Sequence, residues 1–305
     1  MRVMSPRRLA LVVGLVALAA FGTWAVVLRP DLGASAPAGG ASSTVAGQTV
    51  PPLLEPPIAR IAIAGDTGTG DAAEAATAER IISESRSGPY DALILLGDLV
   101  YPDGDAARVD RTVTEPFAPL VDSGTELLPV LGNHDYESGE QGQILTELGR
   151  TSSWYTAAIG AVRVLVVDSN QIRDDQTQWL RAALAEPQPL GTWTLVAMHH
   201  PAYSAGMHGS DATVQKAWVP LFAEAGVDLV LAGHDHDYQR STPQDGVTYI
   251  VSGAGAKLRA TGHEDFTAVS ASTLHYVDLL VYDDRLVGRA IDQSGRLVDT
   301  FTITR

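Results

Sequence analysis

The sequence predicts an α/β fold, and three observations carry that prediction. From Arg60 onward, short runs rich in Ile, Val and Leu alternate with helix-like segments, and no internal repeat interrupts the alternation. Nearly every apolar run stops at a polar residue able to bind something. The chain has 305 residues, 45% of them hydrophobic and 19% charged, which is ordinary globular composition with length enough for a large core.

The strand candidates are "RIAIAGD" (60–66), "ALILLGD" (92–98), "ELLPVLGNHD" (126–135), "VRVLVVDSN" (162–170), "WTLVAMHH" (193–200), "VDLVLAGH" (227–234) and "VTYIVSGAG" (247–255). Asp71 with Glu74 forms a capping-box pattern for a helix through about Glu84. Asp174 is placed to cap a helix with Trp179, Leu180, Ala183 and Leu184 on one side. "ATVQKAWVPLFAEAG" (212–226) reads as a helix bent or interrupted at Pro220 and stopped by Gly226. The tail from His275 to Thr304 reads as a three-stranded meander with turns at "DD" and "QSG".

Upstream of this pattern, Leu9 to Leu28 are twenty residues without a charge, preceded by Arg2, Arg7 and Arg8. That length fits a membrane-spanning helix, and the preceding arginines would hold the N-terminus in the cytoplasm and send residues 31–305 outside. "ASA" at Ala34–Ala36 offers a cleavage site for the alternative, a secreted form, and "RRLAL" loosely matches a twin-arginine export signal. Residues 31–57, 17 of 27 being Ala, Gly, Ser or Pro, read as a flexible tether. The expected organisation is therefore an anchor or signal segment (1–30), a linker (31–57) and one catalytic domain (58–305).

Composition also narrows the chemistry. There is no cysteine, so disulfides and thiolate metal sites are excluded and any metal needs nitrogen and oxygen ligands. Net charge is −15, and four of the 21 basic residues lie in the first 30 positions, so the remainder is more acidic still. A surface of that sign repels polyanions, and no Lys/Arg stripe offers a nucleic-acid footprint. A small phosphorylated molecule remains compatible if a metal supplies positive charge locally.

In open α/β sheets, ligand sites collect beyond the carboxyl ends of the strands. The polar strand endings here are Asp66 in "GDTG", Asp98 and Tyr101 in "GDLVY", Asn133 and His134 in "GNHD", His199 in "VAMHHP", and His234 with His236 in "GHDH". Singly, each has a bland explanation: Gly-Asp is a common turn or cap, and His-x-His pairs are often core or surface residues. Five such blocks in series, all at strand ends, point to a shared site.

These five blocks, spanning residues 66–236, resemble the calcineurin-like metallophosphoesterase superfamily and, within it, the purple acid phosphatase branch. Most of the superfamily carries a histidine two residues after the first aspartate; here that position is Gly68, and Tyr101 stands three after Asp98. The resemblance implies a four-layer α/β/β/α sandwich with two mixed sheets and a dimetal centre at the strand ends. It implies that Asp66, Tyr101 and His236 bind the first ion, that Asp98 bridges, and that Asn133, His199 and His234 bind the second. A phenol of pKa about 10 becomes a ligand near neutrality only beside a strongly polarising cation, so Tyr101 favours Fe(III) at the first site. The second set suits divalent Fe, Zn or Mn. The reaction implied is hydrolysis of phosphate monoesters by attack of metal-bound hydroxide, with a phosphodiesterase acting on nucleotides or lipid headgroups as the alternative.

Within that scheme His134 is the expected general acid for the leaving alkoxide, with Asp135 or a nearby carboxylate keeping it protonated. His208, nine residues after His199, matches a spacing at which the family places a second histidine near substrate, so it is expected to contact phosphate or the leaving group. His200 is expected to point away from the metals by strand alternation. Asp168 and Asn170 are expected to fix a turn or the following helix, Asp235 and Asp237 to support their loop, Trp154 and Tyr155 to pack on a strand, and His263 and His275 to be surface or core residues. The acidic run Asp103–Asp110 reads as a solvated loop near Tyr101.

Overall fold

The computed structural model describes residues 46–305. The predicted anchor at Leu9–Leu28 and most of the predicted tether therefore lie outside the described residues. Among the described residues no helix is long and apolar enough to cross a membrane.

Among the described residues thirteen strands form two mixed sheets. In chain order they are β1 (Ala59–Ala64), β2 (Ala92–Leu96), β3 (Glu126–Val130), β4 (Tyr155–Ile159), β5 (Val162–Val166), β6 (Trp193–Ala197), β7 (Leu229–Ala232), β8 (Tyr238–Ser241), β9 (Thr248–Ser252), β10 (Thr267–Ala271), β11 (His275–Val281), β12 (Arg285–Asp292) and β13 (Leu297–Thr304). The first sheet has the order β13-β12-β11-β1-β2-β3 and the second β10-β8-β9-β7-β6-β5-β4. Parallel pairing joins β1, β2 and β3 in one sheet and β5, β6, β7 and β9 in the other. The helices are α1 (Ala72–Ser85), α2 (Glu115–Val121), α3 (Gln141–Glu147), α4 (Asp174–Ala185), α5 (Ala212–Ala217) and α6 (Val219–Ala225).

Strand alternation sorts the apolar residues into three buried layers. Ile61, Ile63, Ile94 and Leu96 of the first sheet meet Val164, Val166, Leu195 and Leu231 of the second in the inter-sheet core. Their neighbours Ala62, Ala64, Leu93 and Leu95 face outward onto Ile81 of α1 and Phe117 and Leu120 of α2. On the other side, Leu165, Val196 and Val230 pack against Leu180 of α4 and Phe222 of α6. The result is the expected α/β/β/α sandwich. Central strands buried on both faces explain why they read as continuous apolar runs instead of alternating ones.

Local chemistry departs from the sequence reading in several places. Asp71 does cap α1, accepting from the Ala73 and Glu74 amides, but Glu74 reaches back to Gly70 N–H at 2.5 Å, not to Asp71. The residue before α4 is Arg173, so Asp174 occupies the first helical turn and complements the helix dipole there without capping it. The predicted 212–226 helix is two short helices broken at Trp218, with Gly226 closing the second at φ +63°. Strands β8 and β10 had no apolar run to announce them. They are edge-side strands with polar sequences, YQRS and TAVSA.

The described end of the predicted tether is docked. Gly47 N–H donates to Leu297 O, Leu297 N–H donates to Gln48 O, and the Pro51 carbonyl accepts from Arg289. That last contact belongs to a buried ion cluster. Arg60 on β1 holds Asp278 on β11 through two 2.9 Å bonds and also donates to Tyr90 Oη and the Gly88 carbonyl, while Arg289 on β12 grips the same carboxylate. Two guanidiniums thus share one buried acid. Replacing Asp278 by Ala would strand both charges, and we expect a loss of about 3–5 kcal/mol in chemical denaturation.

Candidate metal centre

The carboxyl ends of β1, β2 and β3 and those of β6 and β7 emerge at one edge of the sandwich, and each is followed within three residues by a chemically useful side chain: Asp66, Asp98, Asn133, His199 and His234. Turning sharply out of a strand costs backbone comfort. Asp66, Asp98 and His234 have φ of 56°, 53° and 70°, the left-handed region that ordinary residues avoid. Strain at three such residues in one place is the pattern of a site held by its surroundings. The glycines beside them permit the crowding: a Cβ on Gly132 would lie 2.1 Å from both the amide nitrogen and Oδ1 of Asp98.

The polar atoms converge as two groups. In the first, Tyr101 Oη lies 3.1 Å from Asp66 Oδ1, 2.7 Å from Asp98 Oδ2 and 3.2 Å from His236 Nε2, and His236 Nε2 is 3.3 Å from Asp66 Oδ1. In the second, His199 Nε2 lies 3.1 Å from Asn133 Oδ1, 3.4 Å from Asp98 Oδ1 and 3.3 Å from His234 Nδ1. Asp98 contributes one oxygen to each group. All seven residues expected as ligands are brought together, divided as the resemblance implied.

These separations test whether ions fit. Bonds of about 2.0–2.2 Å to nitrogen and oxygen place neighbouring donors of a tetrahedral or octahedral shell about 2.8–3.4 Å apart. The observed spacings fall at 2.7–3.4 Å. Donor orientation agrees: His199 Nδ1 donates to Leu96 O at 2.7 Å, which fixes the tautomer and turns the Nε2 lone pair into the cluster.

Electrostatics of the protein alone leave a demand for positive charge. Burial, and then the neighbouring Asp98, push the Asp66 carboxyl well above the usual range. Tyr101 is pushed up by burial and by both aspartates. Asp98 sits lower than an ordinary carboxyl, because His199 and the Tyr101 hydroxyl outweigh the burial that opposes ionisation. His234 falls to about 2 through burial and the adjacent His199, and His236 to about 3 through burial followed by Arg259 and Lys257. His234 and His236 are therefore neutral lone-pair donors at ordinary pH, and Asp66 is left without a counter-charge of its own.

Around this floor stands a more open rim. His134 has its ring 4.6 Å from that of Tyr101, and Nδ1 lies 2.5 Å from Pro102 O and 3.2 Å from Glu137 Oε1. Both partners are acceptors, so Nδ1 carries hydrogen and Nε2 is left for other work. Asp135 does not take the expected role beside His134. Its buried carboxyl accepts from the amides of Leu99, Val100 and Gly132, bracing the loops that carry Asp98 and Asn133, and the acid next to His134 is Glu137. His208 stacks at 4.3 Å on His234, with its amide held by Asp235.

His200 differs most from expectation. Its ring is 4.5 Å from that of His234 and 5.1 Å from that of His199, and its Nδ1 is 2.9 Å from Ser169 Oγ. Strand β6 ends at Ala197, so alternation no longer governs where residue 200 points. The remaining side chains behave as read. Asp168 accepts from Asn170 and Tyr136, Asp235 and Asp237 brace Ser204, His208 and Gln239, Tyr155 packs in β4, and His275 is buried against Ser252. The acidic run, expected as a solvated loop, instead holds a short turn at Ala106–Arg108 capped by Asp105 and enters a helical segment at Asp110–Thr114, with Ala106 and Val109 buried.

A family model for calcineurin-like phosphoesterases matches residues 59–238, more than half of the chain. The chain belongs to the calcineurin-like phosphoesterase family. Within it this phosphoesterase falls in the purple acid phosphatase-like branch. It is 27% identical over 205 residues to purple acid phosphatase 21 of Arabidopsis thaliana, covering 60% of this chain and 45% of that one. It is 27% identical over 219 residues to tartrate-resistant acid phosphatase type 5 of Mus musculus, covering 60% and 66%. The chain thus spans 45% and 66% of the length of these curated relatives. A purple acid phosphatase, PPD1, from yellow lupin seeds superposes with a TM-score of 0.70 at 20% identity, covering 81% of this chain and 54% of that one.

The loop backbone bears on which residue completes the first cluster. A Cβ on Gly68 would meet the Leu99 carbonyl oxygen at 2.0 Å, so no side chain can enter from that position, and Tyr101 fills the place from the opposite loop. Sequence reasoning overlooked Lys257 and Arg259, which follow β9 in "SGAGAKLRA", and Glu137. Strand β9 ends at Ser252 and is followed by Gly253–Ala256, so the two cations lie several residues beyond the strand end where ligands were sought.

Metal uptake by this phosphoesterase should follow the proton accounting above. The Tyr101 hydroxyl, held in its protonated form by burial and the two aspartates, must lose its proton to bind a hard cation, so affinity for such a cation rises with pH. Adding Fe(III) to chelator-treated protein in a pH-stat should release protons, and Tyr101→Phe should release one fewer per ion bound.

Proposed function

We propose that this chain is an exported dimetal phosphatase that hydrolyses small phosphate monoesters. The observation that carries the reading is Asp98, whose two carboxylate oxygens each face one of two adjoining donor clusters. Asp66, Tyr101, His236 and Asp98 would hold Fe(III), and Asp98, Asn133, His199 and His234 a divalent Fe, Zn or Mn. The two ions would supply a water of lowered pKa and offset the charge of the phosphoryl oxygens during in-line displacement.

The protein's own groups do the rest. His134, tethered through Nδ1 with its ring beside that of Tyr101, keeps Nε2 free to act as the proton donor for the leaving alkoxide. His208, stacked on a ligand at the rim, is placed to contact the phosphate or the leaving group. Export rests on the charge-free Leu9–Leu28 run behind three arginines, which would anchor the domain outside the cytoplasm, or release it if cleaved.

Turnover of an aryl phosphate monoester against the matching diester tests this reading. A monoester preference is expected; a diester preference of about tenfold or more would sink it. His134→Ala should keep the metals and slow monoester turnover by about 10²- to 10⁴-fold. Metal-loaded wild-type protein should show a broad visible charge-transfer band that Tyr101→Phe abolishes.

A further inference from the structure

We propose that Lys257 and Arg259, two cations on one short loop, form the charge-selective wall of the substrate site and bind the second negative charge that a phosphate monoester carries and a diester lacks. The inference rests on the phosphatase reading given above. It starts from an anomaly of sign: in a chain of net charge −15, two of the few basic residues stand at the mouth of the donor clusters.

Their placement is built. The Arg259 amide donates to the carbonyl of His236 at 2.9 Å, so the loop is tied to a residue of the centre itself. Its other end is pinned where Ser272 Oγ donates to Arg259 O and Gly255 N–H donates to Gly65 O. From this frame Lys257 lays its ammonium 3.8 Å from the centroid of the Tyr101 ring, beside the first cluster and near His134. Arg259 reaches the other way, donating to His208 Nε2 at 3.0 Å, and His208 stacks on His234 of the second cluster.

Neither cation has an ion-pair partner among the described residues, where most arginines do find an acid. Both are half-buried, which leaves their charge weakly screened and accessible from the mouth. Arg259 brings a guanidinium to that corner, and its hydrogen bond to His208 Nε2 fixes where that charge points. A monoester dianion offers three unesterified oxygens, enough for both cations to engage one each. A diester offers two and brings a second carbon substituent toward the same wall.

The test uses the metal-loaded full chain and the variants Lys257→Met, Arg259→Gln and Lys257→Arg. Orthophosphate binding is measured by calorimetry, and kcat/KM is measured for an aryl monoester and its matching diester. A charge-assisted hydrogen bond is worth about tenfold in binding, so each neutral variant should weaken orthophosphate and lower monoester kcat/KM by about tenfold. Diester kcat/KM should change by less than about threefold, Lys257→Arg should retain orthophosphate binding, and metal content and the visible band should be unaltered. Equal losses on both esters, or unchanged orthophosphate affinity in both neutral variants, would overturn the proposal. If the wild type prefers the diester, the monoesterase reading fails, while the calorimetry still decides whether these two residues bind the phosphate charge.

Discussion

The carboxylate of Asp98 is the constraint on which the rest of the site depends. One oxygen belongs to each donor cluster, so any displacement of this residue alters both at once. The surroundings fix it from several directions. Its backbone is held in a left-handed turn, Gly132 gives it room, the His134 amide donates to Oδ1, and Asp135 gathers the three amides that shape the flanking loops. Asp135 therefore matters more to the geometry of the centre than to proton transfer. The same economy appears in His199, whose hydrogen bond to Leu96 O crosses from one sheet to the other while aiming a donor atom.

Charge is arranged in tiers. The floor is buried and short of positive charge, with acids and a phenol pressed together and the imidazoles of His234 and His236 kept neutral. Above it the rim carries Lys257, Arg259, His134 and His208. Farther out the protein is acidic. An anion approaching such a surface is repelled by the whole and attracted only at the mouth, so binding there is dominated by short-range contacts and depends less on long-range steering. High salt should then weaken the general repulsion more than the local attraction.

Most of the architecture was legible because the central strands are buried on both faces and announce themselves as apolar runs, and because their polar terminations converge at one edge of the sandwich. Order and spacing left the polar strand endings as candidates, and the family resemblance divided seven of them between two clusters. What escaped was set by tertiary geometry. His200 turned inward because β6 had already ended, Glu137 took the place assigned to Asp135 because the helical turn at His134–Tyr136 buries one acid and exposes the other, and β8 and β10 are polar edge-side strands. Lys257 and Arg259 were invisible because a loop after Gly-Ala-Gly carries no pattern; only folding brings it over Tyr101 and against His236.

The contact between Gly68 and the Leu99 carbonyl limits how the first cluster can be completed. Two ways of completing the first cluster exist in this superfamily, a histidine two after the first aspartate or a tyrosine three after the second. Here the backbone of one loop fills the space that the alternative side chain would need. Introducing a side chain at position 68 would require the Leu99 backbone to move, whereas replacing Tyr101 alone would leave the loops as they are. Passing from one arrangement to the other therefore needs a shift of the loop after β2 that no substitution at position 101 supplies.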